Sequence, residues 1–374
     1  MKILHTGDLH LGKKLNEVDL KDDQLNVLKQ IILAYRNEQF DVLIIAGDVY
    51  EISNPSAETV ELYNAFLEGI QTFLPKVKTI IVSGNHDSEE RMNLGSTLFK
   101  KANFYITAYP TEKPVLQMDG VNFYAMPYIT HISVANAFKN DEPDVHNTID
   151  AIKYVIDRMN INKEEINILV SHQMVIPTHH ELDYSESELN IGNIEAVPAS
   201  LYQDFDYVAL GHIHKPQDVT DKIRYAGSIL KYHHGESFQE KSFTLIEING
   251  KNDIKKKIVP IKPVHDVIVI KGMLDNLIKN VDPSQKDCYV YAKLMDLVPI
   301  ENAIGKLRAV YPNCIGLVYE NKREKMNQDV SIEEHKNMSL TEVFKEFFFK
   351  QNGREMTEDE DLIVFNNFEE REDD

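Results

Sequence analysis

The run Asp206-Tyr207-Val208-Ala209-Leu210-Gly211-His212-Ile213-His214 decides how the rest of the chain is read. Apolar residues lead through a glycine to two imidazoles with one residue between them. A short apolar run of this kind reads as a strand buried on both faces. Two histidines at its end would mean little if the pattern stood alone, but it recurs. "MKILHTGDLH" (1–10) ends in Asp8 and His10, and "FDVLIIAGDVY" (40–50) carries Asp48 near its end. "TIIVSGNHD" (79–87) ends in Asn85, His86 and Asp87, and "INILVSHQ" (166–173) carries His172. In α/β proteins, sites collect where strands end at their C-terminal edge. Five strands therefore bring Asp8, His10, Asp48, Asn85, His172, His212 and His214 to one rim, with His86 beside them.

Asp, His and Asn together suit borderline to hard ions such as Mn²⁺, Fe²⁺ or Zn²⁺. Seven ligands are too many for one ion and fit two ions sharing one carboxylate. A pair of ions about 3.5–4 Å apart clamps the attacking and leaving oxygens of a phosphoryl centre. Phosphoester hydrolysis is the expected reaction.

The remaining composition narrows the setting. The 374 residues suffice for two or three domains, and an apolar share of 43% is ordinary for a globular chain. No apolar run has the length of a membrane span, and the N-terminus lacks the pattern of a signal peptide, so a cytoplasmic protein is expected. Cys288 and Cys314 stand far apart, in no metal-binding spacing. The net charge of −20 argues against a protein that holds nucleic acid by bulk electrostatics alone. It leaves room for a nuclease in which metal ions or a partner supply positive charge.

Residues 1 to about 260 alternate strand and helix. Leu25, Leu28, Ile31, Ile32 and Tyr35 fall at helical spacing, and Ser56 is a candidate N-cap for a second helix. "NTIDAIKYVIDRMN" (147–160) reads as a third. Pro260 and Pro263 punctuate a boundary, after which 264–320 reads strand, helix, strand, helix, strand. A polar stretch follows. Then comes a helix opening with the capping box Ser339-x-x-Glu342, whose Leu340, Val343, Phe344, Phe347 and Phe348 make one apolar stripe. An acidic tail closes the chain.

The elements "GDLH" (7–10), "GDVY" (47–50), "GNHD" (84–87), "SH" (171–172) and "GHIH" (211–214), in this order, resemble the motifs of the calcineurin-like metallophosphoesterases. Within that superfamily, "LHTGDLHLGK", "GNHDSEERMNLGS", "FDYVALGHIHKPQ", "YAGSIL", "PIKPVHDV" and "SLTEVFKEFFFKQNG" resemble the SbcD family, the nuclease subunits of bacterial SbcCD complexes. The resemblance implies an α/β fold: a two-layer β-sandwich flanked by helices, with a small α+β cap domain and C-terminal partner-binding helices. It implies a nuclease domain at 1–262, a DNA-capping domain at 263–320, a linker at 321–338, and ATPase-binding helices with an acidic tail at 339–374.

The resemblance also assigns roles. Asp8, His10, Asp48 and His214 would hold one divalent ion, with Mn²⁺ expected. Asp48, Asn85, His172 and His212 would hold the other, with Asp48 bridging. His86 would sit beside the scissile phosphate as the catalytic residue, and Asp87 would anchor its loop or orient a neighbour. The implied activity is 3′–5′ exonuclease on duplex DNA and endonuclease on single strands and hairpins, in replication, recombination and repair. The implied partners are DNA, a second copy of the chain, and an SbcC-type coiled-coil ATPase docked around Phe344 and Phe347. Relatives often carry Asp or His where this chain has Glu51, so a catalytic contribution from that position is not expected here.

A soluble phosphoesterase acting on nucleotides or phosphoproteins would use the same metal site, but has little need of a cap, a linker and an apolar helix. A non-enzymatic scaffold would have lost ligands, and none is missing. His5, His131, His146, His179, His180, His233 and His234 lie outside the motifs and read as structural.

Overall fold

The computed structural model describes residues 1–177, 196–320, 340–358, 360–362 and 364. Strands β1 (Lys2–Thr6), β2 (Val42–Ala46), β3 (Lys78–Val82) and β4 (Phe104–Thr107) pair in parallel in that order. Two later strands, β11 (Ser242–Gly250) and β12 (Asp253–Pro260), extend the same sheet antiparallel beyond β1. The second sheet has the order β9-β10-β8-β7-β6-β5. Its members are β5 (Leu116–Met118), β6 (Val121–Met126), β7 (Ile166–His172), β8 (Tyr207–Gly211), β9 (Gln217–Asp218) and β10 (Ile223–Tyr225).

The two six-stranded sheets pack face to face. Ile3, Ile44, Ile80 and Val82 of one meet Phe123, Ile168, Val170 and Ala209 of the other in a shared apolar layer. A central strand of such a sandwich is buried on both faces, hence the unbroken apolar runs VLIIA in β2 and YVALG in β8. Helices cover the outer faces. α1 (Lys21–Glu38) buries Val27, Leu28 and Ile31, with Leu25, Ile32 and Tyr35 partly buried against the same core. α2 (Ala57–Phe73) begins where expected, the Ser56 side chain accepting from the Thr59 N–H. α3 (Thr148–Arg158) is capped by Asn147 and covers the second sheet.

The segment after Pro263 forms the expected strand–helix–strand–helix–strand unit. Its elements are β13 (Val267–Gly272), α4 (Leu274–Lys279), β14 (Tyr289–Leu294), α5 (Ala303–Arg308) and β15 (Cys314–Tyr319), with β14 central in a three-stranded sheet. Residues Met1–Leu294 and Ile300–Val318 make one compact unit. The junction inside it is polar and specific. The buried Asp23 carboxylate accepts from the His265 backbone and ring N–H groups, at 3.1 and 3.0 Å, and from the Tyr289 hydroxyl at 2.9 Å. The Asn16 amide donates to the Ile315 carbonyl at 2.7 Å, and His234 stacks flat on Tyr291 with ring centroids 3.9 Å apart.

The second unit contains α6 (Leu340–Asn352). On it Phe344 and Phe347 lie side by side, with centroids 6.2 Å apart, and Phe347 is 55% exposed. The capping residue Ser339, the linker 321–338 and the acidic tail lie outside the described residues, as do His179 and His180.

Candidate metal centre

The ends of β1 and β2, central in one sheet, meet the ends of β7 and β8, central in the other. After the strands stop, the first two loops stay zipped together: the Asp8 N–H donates to the Gly47 carbonyl and the His10 N–H to the Asp48 carbonyl. His172 closes the gap between sheets through an Nδ1–H donated to the Ala46 carbonyl at 2.8 Å. The crossing is so tight that a side chain on Gly211 would lie 1.9 Å from the Ala46 oxygen. Gly47 has φ +88°, and a Cβ there would stand 2.2 Å from the His172 Nδ1. Asp8, His10, Asp48 and His212 themselves take positive φ, of 48°, 43°, 47° and 105°. That conformation is costly for a non-glycine residue, and such strain concentrates at functional sites.

All eight residues singled out from the sequence converge. The Asp8 Oδ1 accepts from the His212 N–H at 2.8 Å. His10 Nε2 lies 3.1 Å from His214 Nε2 and 3.5 Å from an Asp48 oxygen. The same Asp48 oxygen is 3.3 Å from His172 Nε2. Asn85 Oδ1 faces His172 Nε2 at 3.1 Å and His212 Nδ1 at 3.0 Å. His86 uses its backbone N–H on Asp48 and donates its Nδ1–H to the Glu51 carbonyl at 2.7 Å. Its ring meets that of His10 edge-on at 4.8 Å. Asp87 accepts backbone N–H groups from Gly84, Val49 and Tyr50, tying the third loop to the second. His10, Lys13, Asp48, Asn85, His86 and His214 are among the residues that open onto a cleft of about 200 Å³.

Burying this many ionisable groups perturbs them. Burial pushes the Asp8 carboxyl up to about 6 against the pull of His172 and His214. Burial lowers His10 to about 4 and His212 to about 3. His172 goes the other way: burial opposes its charge, but Asp48 and Asp8 outweigh it and raise the imidazole to about 9. Asp48 is correspondingly held well below the usual carboxylate range, burial notwithstanding. Burial and Asp48 raise Asp87 to about 7.

These groups fit divalent cations. Three clusters bring carboxylate and imidazole atoms within 4.8 Å of one another: Asp8–His10–His214, Asp8–Asp48–His172 and His10–Asp48–His86. The buried Asp8 Oδ2 has no hydrogen-bond partner among the described residues. The two Nε2 atoms 3.1 Å apart have the spacing of neighbouring ligands, since nitrogens about 2.1 Å from one ion at a right angle lie about 3 Å apart.

Glu236 and Lys241 escaped the sequence reading, and Glu51 makes contacts it did not foresee. Glu51 places Oε2 2.9 Å from His10 Nδ1 and holds Lys13 at 2.6 Å. Glu236, wholly buried, lies 3.0 Å from His214 Nδ1 and 2.7 Å from Lys241 Nζ. Burial works against both charges. His10 and Lys13 nevertheless lower Glu51 to about 2, and Lys241 with His214 holds Glu236 below the usual range. Glu236 and Lys241 sit in "HGESFQEK" (234–241), which carries no motif, so only the fold reveals them. Two of the extra histidines make contacts away from the cleft. His5 is buried between the Tyr207 hydroxyl and the Leu210 carbonyl, and His146 is exposed beside Asp144.

Residues 1–216 match the family model of the calcineurin-like phosphoesterases. Residues 263–352 match the SbcD C-terminal model, described as the type 5 capsule protein repressor C-terminal domain. Among solved structures, TT1561 of Thermus thermophilus is 12% identical, with 69% of this chain and 98% of that one covered and a TM-score of 0.40. A dimetal phosphatase from Danio rerio is 13% identical, with 70% and 96% covered and a TM-score of 0.37. The first match spans more than half of the chain, which belongs to the calcineurin-like phosphoesterase family, a family of metal-dependent phosphoesterases. Its C-terminal match makes it an SbcD-like member.

Proposed function

We propose that this chain is the nuclease subunit of an SbcCD-type complex, hydrolysing phosphodiester bonds in DNA. The observation that supports this best is the joining, in one chain, of a phosphoesterase module over 1–216 to an SbcD-type C-terminal region over 263–352. The activity is the family's: 3′–5′ exonuclease on duplex and endonuclease on single-stranded and hairpin DNA.

Two divalent cations, Mn²⁺ as the expected pair, would polarise the phosphoryl oxygens and make a water molecule acidic enough to attack. Asp8, His10 and His214 would hold one, Asn85, His172 and His212 the other, and Asp48 both. The strained loops hold these side chains in place before any ligand arrives, so little reorganisation is left to the reaction. His86 acts on the phosphate. Its Nδ1–H is committed to the Glu51 carbonyl, which can only accept, so a proton exchanged with substrate must move at Nε2. As an imidazolium, His86 would give that proton to the leaving oxygen.

The deciding assay compares Mn²⁺-dependent cleavage of linear duplex, hairpin and single-stranded DNA with that of a small phosphodiester. Turnover of the small diester with no cleavage of any DNA would replace this reading with a soluble phosphoesterase.

Partnership rests on α6. Its stripe presents Val343, Phe344 and Phe347 in the spacing by which a helix binds an apolar groove, here that of a coiled-coil ATPase. Each buried Phe contributes roughly 1.5–3 kcal/mol, so Phe344→Asp with Phe347→Asp should abolish co-purification with an SbcC-type ATPase. Single-strand cleavage by the isolated subunit should persist. Loss of folding by circular dichroism would instead assign the stripe to this protein's own core. A homodimer is expected to form through α2 and the segment after it, where Phe73, Leu94 and Leu98 are 65, 78 and 69% exposed. A monomeric mass in solution light scattering would overturn that.

A further inference from the structure

Two carboxylates of the centre belong to neither ligand set. Glu51 takes the Nδ1 side of His10 at 2.9 Å while Lys13 holds its other oxygen at 2.6 Å. Glu236 takes the Nδ1 side of His214 at 3.0 Å while Lys241 holds its other oxygen at 2.7 Å. An ionised carboxylate accepts only, so the hydrogen must sit on Nδ1 in both rings. Each lone pair is then left on Nε2, and the two Nε2 atoms face each other at 3.1 Å. Two lone pairs so placed repel unless a cation lies between them. Lys241 is itself tightly held, donating to the His214 carbonyl, the Ser228 hydroxyl and the Gln239 side-chain oxygen as well as to Glu236.

The other ligand group is backed differently. His172 gives its Nδ1–H to a neutral backbone carbonyl, and His212 turns Nδ1 inward, toward Asn85. A carboxylate behind a ligating imidazole fixes its orientation and raises its basicity, and losing it typically costs about 10–100-fold in metal affinity.

We propose that Glu51 and Glu236 are positioning residues: Lys13–Glu51–His10 and Lys241–Glu236–His214 form two matched clamps that lock both imidazoles with Nε2 toward one metal position, which therefore binds its ion more tightly than the other. This rests on the reading of His10 and His214 as ligands. It gives Glu51, which cannot act as the histidine found at that position in some relatives, a role on the metal side instead.

The test titrates Mn²⁺ alone into the metal-free full-length protein by calorimetry and reads histidine tautomers by long-range ¹H–¹⁵N correlation. Wild type should show two unequal sites, with the Nδ1–H tautomer at His10 and His214. Glu51→Gln should weaken the tighter site by about 10–100-fold and leave the weaker one unchanged. The double variant E236Q/K241M, which strands no buried charge, should do the same. Folded variants that bind both ions as wild type does would reduce the clamps to structural ion pairs and overturn the proposal, as would the opposite tautomer. If E236Q/K241M does not fold, Glu51→Gln decides alone. His214→Ala serves as the control: if it keeps both ions, the ligand assignment itself has failed.

Discussion

His10 and His214 lean on carboxylates, whereas His172 leans on a backbone carbonyl. Both arrangements hold an imidazole in place, yet they leave the two sides of the centre in different charge states. On the first side, burial keeps His10 neutral, at about 4, although Glu51 stands behind it. On the second, Asp48 at 3.3 Å draws a proton onto His172, which rises to about 9. On the ligand assignment proposed above, a cation entering the first side at neutral pH would find His10 unprotonated, and one entering the second would have to displace a proton from His172. Metal binding would then release a proton from His172 and none from His10.

The comparison is broken most severely at the residue common to both sides. Asp48→Ala should remove ions from both positions and cut activity by more than about a thousandfold, the equivalent of several kcal/mol. Elemental analysis gives the check, and a variant that keeps two ions would show that Asp48 does not bridge. His86→Ala should lose about 10²–10⁴-fold in rate while keeping both ions. If it sheds one, His86 is a ligand, which the His10–Asp48–His86 cluster would accommodate.

Next in size is Lys241→Met. Glu236 would be left buried and uncompensated, and breaking such a pair costs about 3–5 kcal/mol. Chemical denaturation should show the loss directly, and a change within error would mean that water or another group neutralises Glu236.

The proton on His172 gives a pH signature. Because its folded value of about 9 lies above the ordinary 6.5, its contribution is complete below about 6.5 and gone above about 9. Chelated protein should therefore lose roughly 3 kcal/mol across that window. His172→Gln should remove most of the slope, and metal-loaded protein should lack it. Calorimetry in buffers of different ionisation enthalpy should report about one proton released when the second Mn²⁺ binds near pH 7. Equal, proton-free binding of both ions would erase the distinction between the sides.

The smallest effect is expected at Lys13, whose side chain is 28% exposed. Lys13→Met should change stability by no more than about 1 kcal/mol, as for other solvent-screened pairs. A loss as large as that at Lys241 would show the two clamps to be equally dry.

The convergence of these side chains was readable in the sequence because each candidate ligand follows an apolar strand directly. Asp8, Asp48, Asn85, His172 and His212 need no knowledge of long-range contacts to be noticed, only the rule that sheets gather sites at one edge. The helices were legible for a similar reason, since Ser56 and the Leu28–Ile31 stripe are local signals. Glu236 and Lys241 were not, because their meaning comes from a turn that folds back on His214 across 22 residues. Glu51 was noticed for the wrong property. Its inability to donate as an imidazolium was evident, but its contact with His10 depends on how the first two loops zip together. The polar junction of Asp23 with His265 and Tyr289 spans more than 240 residues and has no local mark either.

The turn from His233 to Glu236 serves two masters. His234 lies flat against Tyr291 of the three-stranded sheet, and two residues later Glu236 grips His214. That sheet and the candidate metal centre are thus linked in series through a handful of backbone bonds. A load that tilts that sheet would pull on the same short tether that aims an imidazole.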